Sequence, residues 1–406
     1  MVPTSLRRLL RSGDTVLVGT GTGEPLALIE ELIAAAAALR EGAAIRVIQV
    51  MTGGTERLAE VAGATLQLVT PVPGPKTRKA IAEGRVTLLT ESMSGLLRNI
   101  MRGALPIDGI LLQGRALDAR HATPGLIADI MLPAWERARF RALELNERLP
   151  RIACDARLEI ADADHVVRTA CAPNELAEYA VSEAAARIGA FVAEIVPDGA
   201  TIELGVGRAL AGVVPALARG RRHLAMHTGI VGNAAMRLIE AGCVSRTVRG
   251  AAMAVGATAM GTQSFYEWAD NNPRVALVDS RIAHNSDALA ATPRFVAINA
   301  ALQVDAAGNV NSTSYQGRTV SGVGGAGDFA TAGARGEASI IVLFATTPQG
   351  LSTLVPVVDA VSVPSDDVTH VVTEHGIAVI RGRGGSAGAR AAIRAIAAPQ
   401  HRIALA

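Results

Sequence analysis

The residues best able to do chemistry stand at the ends of short apolar runs in the second half of the chain. Gly322-Val323-Gly324-Gly325-Ala326-Gly327-Asp328-Phe329 carries four glycines in six residues. A backbone that bends so tightly can aim several N–H groups at one point, as an oxyanion or phosphate cradle requires. The same glycines also suit an ordinary loop in which they only satisfy positive φ, and spacing does not separate the two readings. Glu374 follows Val371-Val372-Thr373 and precedes His375-Gly376. A carboxylate closing a buried strand is costly unless it is paired or used, and Arg381 is the structural partner on offer. His227-Thr228-Gly229 reads as the end of another strand and the opening of a helix, a place where a single histidine is more often structural than catalytic. Asn299 and Asn311 read as turn caps. Residues 19–23 and 205–207 are glycine-rich strand ends as well, where α/β sheets hold ligands. Neither fits GxGxxG with a downstream acid, and no Walker A sequence is present.

Strand ends converge only if the strands lie parallel in one sheet, and the chain reads that way. Thr15-Val16-Leu17-Val18 follows Ser12-Gly13-Asp14, enters the 19–23 bend and leads to an Ala/Leu/Glu-rich helix over 25–40. Thr201-Ile202-Glu203-Leu204 follows Pro197-Asp198-Gly199, enters the 205–207 bend and leads to a helix over 208–218. The second unit repeats the first, which predicts two similar α/β domains with mostly parallel sheets flanked by helices, over 1–190 and 191–406. Further strands are expected at 44–50, 86–89, 109–112, 151–153, 223–226, 275–279, 295–300, 339–344 and 370–373. Long helices are expected over 126–149, broken at Pro133, and over 176–195.

Composition narrows the function classes. Hydrophobic residues are 50% of the 406, charged residues 19% and aromatics only 3%, so the core is built of Ala, Val, Leu and Ile, as in helix-covered sheets. A net charge of +2 with no long run of one sign removes the electrostatic case for nucleic acid. Cys154, Cys171 and Cys243 have no CxxC or Cys/His spacing, so neither a disulfide framework nor a metal site is expected, and a reducing cytoplasm is the expected home. Residues 1–11 do not read as a signal peptide, and no apolar stretch approaches the ~20 residues of a membrane span.

The order of motifs in the second half carries more. Asp270-Asn271-Asn272-Pro273, Ala297-Ile298-Asn299-Ala300-Ala301-Leu302 and Gly308-Asn309-Val310-Asn311-Ser312-Thr313 are followed by residues 321–329, Val355-Pro356, residues 371–377 and Arg381-Gly382. This series resembles the acetyl-CoA hydrolase/transferase family, the class I CoA-transferases that include 4-hydroxybutyrate and succinyl-CoA:acetate CoA-transferases. The likeness runs almost without a break from about residue 197 to 400. In the first half only Ser12-Gly13-Asp14, Leu105-Pro106-Ile107-Asp108 and Leu149-Pro150-Arg151 match, and residues 115–124 replace the family's usual segment facing the acyl group.

The resemblance implies a CoA thioester as substrate, a small acceptor or water as second reactant, no metal, and a homo-oligomer. In the family a glutamate attacks the thioester carbonyl and backbone N–H groups hold the oxyanion. That glutamate belongs to a His/Tyr-Thr-Glu motif, which here reads His227-Thr228-Gly229, so the nucleophile position is Gly229 and has no side chain. By the same matching, Val206 and Gly325 fall on the oxyanion-hole residues, Asn285 on an active-site asparagine and Glu374 on an active-site glutamate near the thioester. Asn285, Gly322, Gly324, Gly325 and Gly376 are the residues expected to hold CoA. The family's lysine after the Gly-Asp-Phe segment falls at Gln349. Three functions follow: a hydrolase or direct acyl transferase with Glu374 as base, a CoA-transferase with its carboxylate relocated to Glu24 or Glu374, or a non-catalytic acyl-CoA-binding protein. Glu240, on the helix that follows, reads as structural. On the first reading the space left at Gly229 is expected to admit a larger acceptor.

Overall fold

A computed structural model describes residues 5–381 and 386–403, so Gly382 of the family series lies outside the described residues. The chain divides into two compact units, one of Met1–Ala177 with Gly256–Ala283, the other of Glu178–Val255 with His284–Ala406. The expected division at 190/191 follows chain order, whereas residues 256–283 group with the first unit.

In the first unit the sheet strands are Thr15–Val18 (β1), Ile45–Ile48 (β2), Leu66–Thr70 (β3), Thr87–Leu88 (β4), Gly109–Ala116 (β5), Phe140–Asn146 (β6) and His165–Thr169 (β7). They lie in the order β7-β6-β5-β1-β2-β3-β4, every pair parallel. Parallel strands are buried on both faces, which is why Val16, Leu17 and Val18 are all inaccessible. The helix Leu26–Ala37 (α1) follows a short 3₁₀ turn, Gly21–Gly23, as the 19–23 bend implied. Residues 115–124 form a β-hairpin on β5, pairing Arg115 with Thr123 and Ala116 with Ala122.

The second unit repeats this plan. Its strands are Thr201–Leu204 (β8), Ala225–Val231 (β9), Ala254–Ala259 (β10, through which the chain passes into the first unit), Phe295–Ala300 (β11), Ala338–Val342 (β12), His370–Thr373 (β13) and Gly376–Val379 (β14). The sheet runs β14-β13-β12-β11-β8-β9-β10; the pairs from β13 through β9 are parallel and β14 is antiparallel. A 3₁₀ turn, Arg208–Gly212, again separates β8 from its helix, Val213–Gly220. The expected two-fold α/β architecture is what forms.

Three local expectations are corrected. Residues 126–149 are not a long helix: only Met131–Trp135 is helical, and Phe140–Asn146 is strand β6. The 176–195 helix begins at Glu183, where the Ser182 hydroxyl accepts the Ala185 N–H at 3.2 Å and caps Glu183–Ile195 (α2). His227, Thr228 and Gly229 lie inside β9, and the next helix, Asn233–Glu240 (α3), starts four residues later.

Small residues let elements approach backbone to backbone. A Cβ at Gly189 of α2 would fall 2.1 Å from the carbonyl oxygen of Gly212. Backbone cannot yield as a flexible side chain can, so Gly189→Ala is expected to destabilise the protein by about 3 kcal/mol or more, read from its urea midpoint. An unchanged midpoint would show that α2 is not held this closely.

Candidate active site

Alternation along β9 decides which of its residues meet. His227 and Gly229 share one face of the strand and Thr228 the other, where its hydroxyl donates to the Leu204 carbonyl at 3.1 Å. β8 pairs with β9 through Thr201–Ala225 and Ile202–Met226. One residue further along each strand stand Glu203 and His227. On the other side of β8, Glu203 pairs in register with Ala297 of β11.

The helix Ala326–Arg335 (α4) packs against β11 and β12 and carries Phe329. Gly325 is its N-cap residue, so the glycine-rich segment ends at a helix N-terminus, where free N–H groups favour negative charge. Gly324 before it has φ +62°, a left-handed conformation that favours glycine.

One side chain joins these glycines. His284 immediately precedes Asn285, whose side-chain oxygen accepts the Ala288 N–H at 3.1 Å and caps the helix Ser286–Ala290. That helix is fastened to α4 by Ser286 Oγ donating to the Asp328 carbonyl at 2.9 Å and by Arg335 on Asp287 at 2.7 Å. His284 is thereby aimed inward. A Cβ at Gly325 would lie 2.8 Å from its Nε2, and a Cβ at Gly229 3.7 Å from the same nitrogen. The Gly229 Cβ would also lie 3.3 Å from Cε2 of Phe329. The imidazole and the Phe329 ring pack with centroids 5.1 Å apart at 49°. A side chain at residue 229 would therefore meet the Phe329 ring at its first carbon, slightly closer than an ordinary contact.

His284 is almost wholly buried, and its Nδ1 has no hydrogen-bond partner. Burial first, and the charge of His227 second, push its pKa down to about 4, so the ring is neutral at neutral pH. Glu203 is buried as well. Its carboxylate oxygen accepts from Asn299 Nδ2 at 2.7 Å and from the Ile298 N–H at 3.3 Å. Burial still dominates and pushes the carboxyl up to about 8.

The other expected residues are placed as follows. Val206 follows β8 and is 47% exposed. Glu374 and His375 form the two-residue turn between β13 and β14, with Thr373 paired to Gly376, and Gly376 has φ +147°. Glu374 accepts the Ala345 N–H at 2.9 Å, while Arg381 donates to the Ala334 carbonyl, so the Glu374–Arg381 pairing is not the one that forms. β13 stands four strands along the sheet from β9. Asn299 does not cap a turn but binds Glu203; Asn311 does, accepting from the Thr313 and Ser314 N–H groups. In the first unit, Glu24 is buried and its oxygens are engaged by Gln49, by the N–H and hydroxyl of Thr55, and by Asn174. Gln349 is exposed in a loop, and Glu240 is exposed at the end of α3.

His284, Phe329 and Glu203 were not singled out as site residues from the sequence. Glu203 carries the signal that marked Glu374, a carboxylate in a buried apolar strand before glycines. His284 has no such signal, because only the fold brings it to Gly229 and Gly325.

No helix among the described residues is long and apolar enough to cross a membrane. Residues 261–406 match the acetyl-CoA hydrolase/transferase C-terminal domain. The chain is 30% identical over 339 residues to the 4-hydroxybutyrate coenzyme A transferase of Clostridium kluyveri, covering 81% of this chain and 78% of that protein. It is 27% identical over 407 residues to a succinyl-CoA:acetate/propanoyl-CoA:succinate CoA transferase of Fasciola hepatica, covering 97% and 84%. Among solved structures, RipA from Yersinia pestis superposes with a TM-score of 0.90 at 25% identity, over 99% of this chain and 95% of that one.

Proposed function

Because this chain belongs to the acetyl-CoA hydrolase/transferase family, we propose that it opens an acyl-CoA thioester by direct attack of water or an acceptor carboxylate, with no acyl–enzyme bond at residue 229. The attacking oxygen adds to the thioester carbonyl carbon, and the carbonyl oxygen takes up negative charge. Collapse of that adduct breaks the C–S bond and releases CoA as its thiolate, which takes up the proton that an attacking water gives up. Water yields the free acid; a carboxylate acceptor yields an anhydride that the released thiolate can reopen on the acceptor side, giving transfer.

The observation that carries this reading is the closed face over Gly229. The residue offers no nucleophile, and the first carbon of any side chain there would stand 3.3 Å from Phe329 and 3.7 Å from His284. Gly325 at the start of α4 remains, and with Val206 it is assigned the oxyanion hole. Asn285 is assigned a supporting role through its cap, and Gly322, Gly324 and Gly376 the shaping of the thioester's loops.

The test is thiol release from a panel of acyl-CoAs, without and with carboxylic acids, alongside intact-mass analysis of the protein during turnover. Release with no covalent adduct is expected. A CoA or acyl adduct on a Glu or Asp side chain would sink the proposal in favour of a relocated carboxylate, and silence across the panel would leave an acyl-CoA-binding protein. Gly229→Glu alone is expected to gain less than tenfold in exchange, since Phe329 and His284 block the new side chain. A large gain from the single change would contradict the closed face.

A further inference from the structure

We propose that His284 is an oxyanion-stabilising residue, its neutral ring donating from Nε2–H to the thioester carbonyl oxygen beside the Gly325 N–H. The proposal rests on the direct-attack reading and supplies the electrophilic half of it.

Four observations lead there. Nε2 is the ring atom nearest the Cβ position of Gly325, at 2.8 Å, and it also approaches that of Gly229, at 3.7 Å. One nitrogen therefore faces both the helix N-terminus that would hold an oxyanion and the position from which attack would ordinarily come. Second, Nδ1 is buried with no hydrogen-bond partner. A buried N–H without an acceptor is among the rarest defects of folded proteins, and an unpaired lone pair is better tolerated. The proton therefore belongs on Nε2, where it can be donated into the site. Third, the ring packs against Phe329 and its residue immediately precedes the Asn285 cap of a helix fastened to α4, so the donor is oriented before substrate arrives, as electrostatic catalysis requires. Fourth, burial keeps the imidazole neutral at working pH. A neutral imidazole polarises a carbonyl without giving up its proton, and it places no fixed cation in a site that has lost its anionic nucleophile.

Two measurements decide the matter. The first needs no substrate: ¹⁵N-histidine NMR of the whole protein, with His284→Gln to assign the resonance, reports which nitrogen bears the proton. The Nε2–H tautomer, persisting down to about pH 5, is expected. An Nδ1–H tautomer, or titration near the ordinary 6.5, overturns the proposal. The second compares variants in the thiol-release assay. His284→Phe fills the volume without a donor and is expected to lose 10²–10³-fold in kcat with KM little changed. His284→Gln restores an N–H donor and is expected to stay within about tenfold of the parent protein. Equal loss in both variants would assign His284 as base or nucleophile instead, and an undiminished rate in His284→Phe would remove it from the chemistry. If the parent protein releases no thiol at all, direct attack fails while the tautomer still stands or falls by the NMR.

Discussion

Gly325→Ala is expected to cut acyl-CoA turnover by roughly 10²–10³-fold while the protein remains folded and still binds the thioester. The new methyl carbon would stand 2.8 Å from His284 Nε2 and 3.1 Å from its Cδ2. Contacts that short do not persist, so either the imidazole or the start of α4 must shift. Both carry oxyanion donors under the proposed function, and a displacement of either misaims a hydrogen bond whose strength depends on direction. The imidazole is the softer of the two, yet it is held against Phe329 and cannot simply swing away. Overpacking of this size costs roughly 1–3 kcal/mol, which a two-unit protein of 406 residues tolerates. Turnover, thermal melting and thioester binding measured on the same preparation separate the effects. A variant that folds, binds and turns over at the parent rate would remove Gly325 from the oxyanion hole.

Glu203→Gln is expected to stabilise the protein at pH 8 and to leave it nearly unchanged at pH 5. The folded state holds the Glu203 proton up to about pH 8, whereas an unfolded chain releases it near 4.5. Between those values the unfolded state binds fewer protons, so stability falls as pH rises through the window. At about 1.4 kcal/mol per pH unit, the fall reaches roughly 3–5 kcal/mol by pH 8. Glutamine keeps the shape and the hydrogen bonds of the protonated acid and has no proton to lose. His284 acts at the other end of the scale: its depressed pKa means the unfolded chain takes up a proton below about 6.5 that the folded protein refuses until about 4, so stability falls as pH drops through that range. Urea midpoints at pH 5 and 8 for parent and variant test the first claim. Superimposable profiles would show that Glu203 is ionised in the folded protein and better compensated than its two hydrogen bonds imply.

The parts of the fold legible in the sequence are those where local pattern and tertiary fate agree. β11 and β13 occupy the expected residues, 295–300 and 370–373, because Phe295-Val296-Ala297-Ile298 and Val371-Val372 are apolar at consecutive positions, as strands buried on both faces are. The paired strand, glycine bend and helix units were legible for the same reason. Residues 126–149 misled because Ala, Leu, Glu and Arg are strong helix formers, and tertiary context overrode them. In β6, Leu143 and Leu145 are buried on one face and Glu144 on the other, where Glu144 accepts the N–H groups of Ala27 and Leu28 at the start of α1 as well as bonds from Gln113 and Thr169. That carboxylate finds its partners on two neighbouring strands and on α1, and no window of sequence shows them. The candidate site divides in the same way. Gly325 and Gly229 were legible as motif positions, whereas His284 gains its meaning from two glycines more than forty residues away on either side. The pairing of Glu203 with Asn299 is likewise a matter of strand register, which apolar patterning does not reveal.

The two rings packed over Gly229 bear on how this site can be altered by selection. Residue 229 is not an independent variable: the first carbon of any side chain there stands 3.3 Å from Phe329 and 3.7 Å from His284. A saturation library at 229 alone is expected to favour glycine and the smallest side chains, since even the first carbon needs Phe329 to yield by a few tenths of an ångström. Libraries that vary 229 together with 284 and 329 are expected to reach larger side chains at 229 than a library at 229 alone. An engineer who wants a larger residue at 229 therefore changes the three positions together.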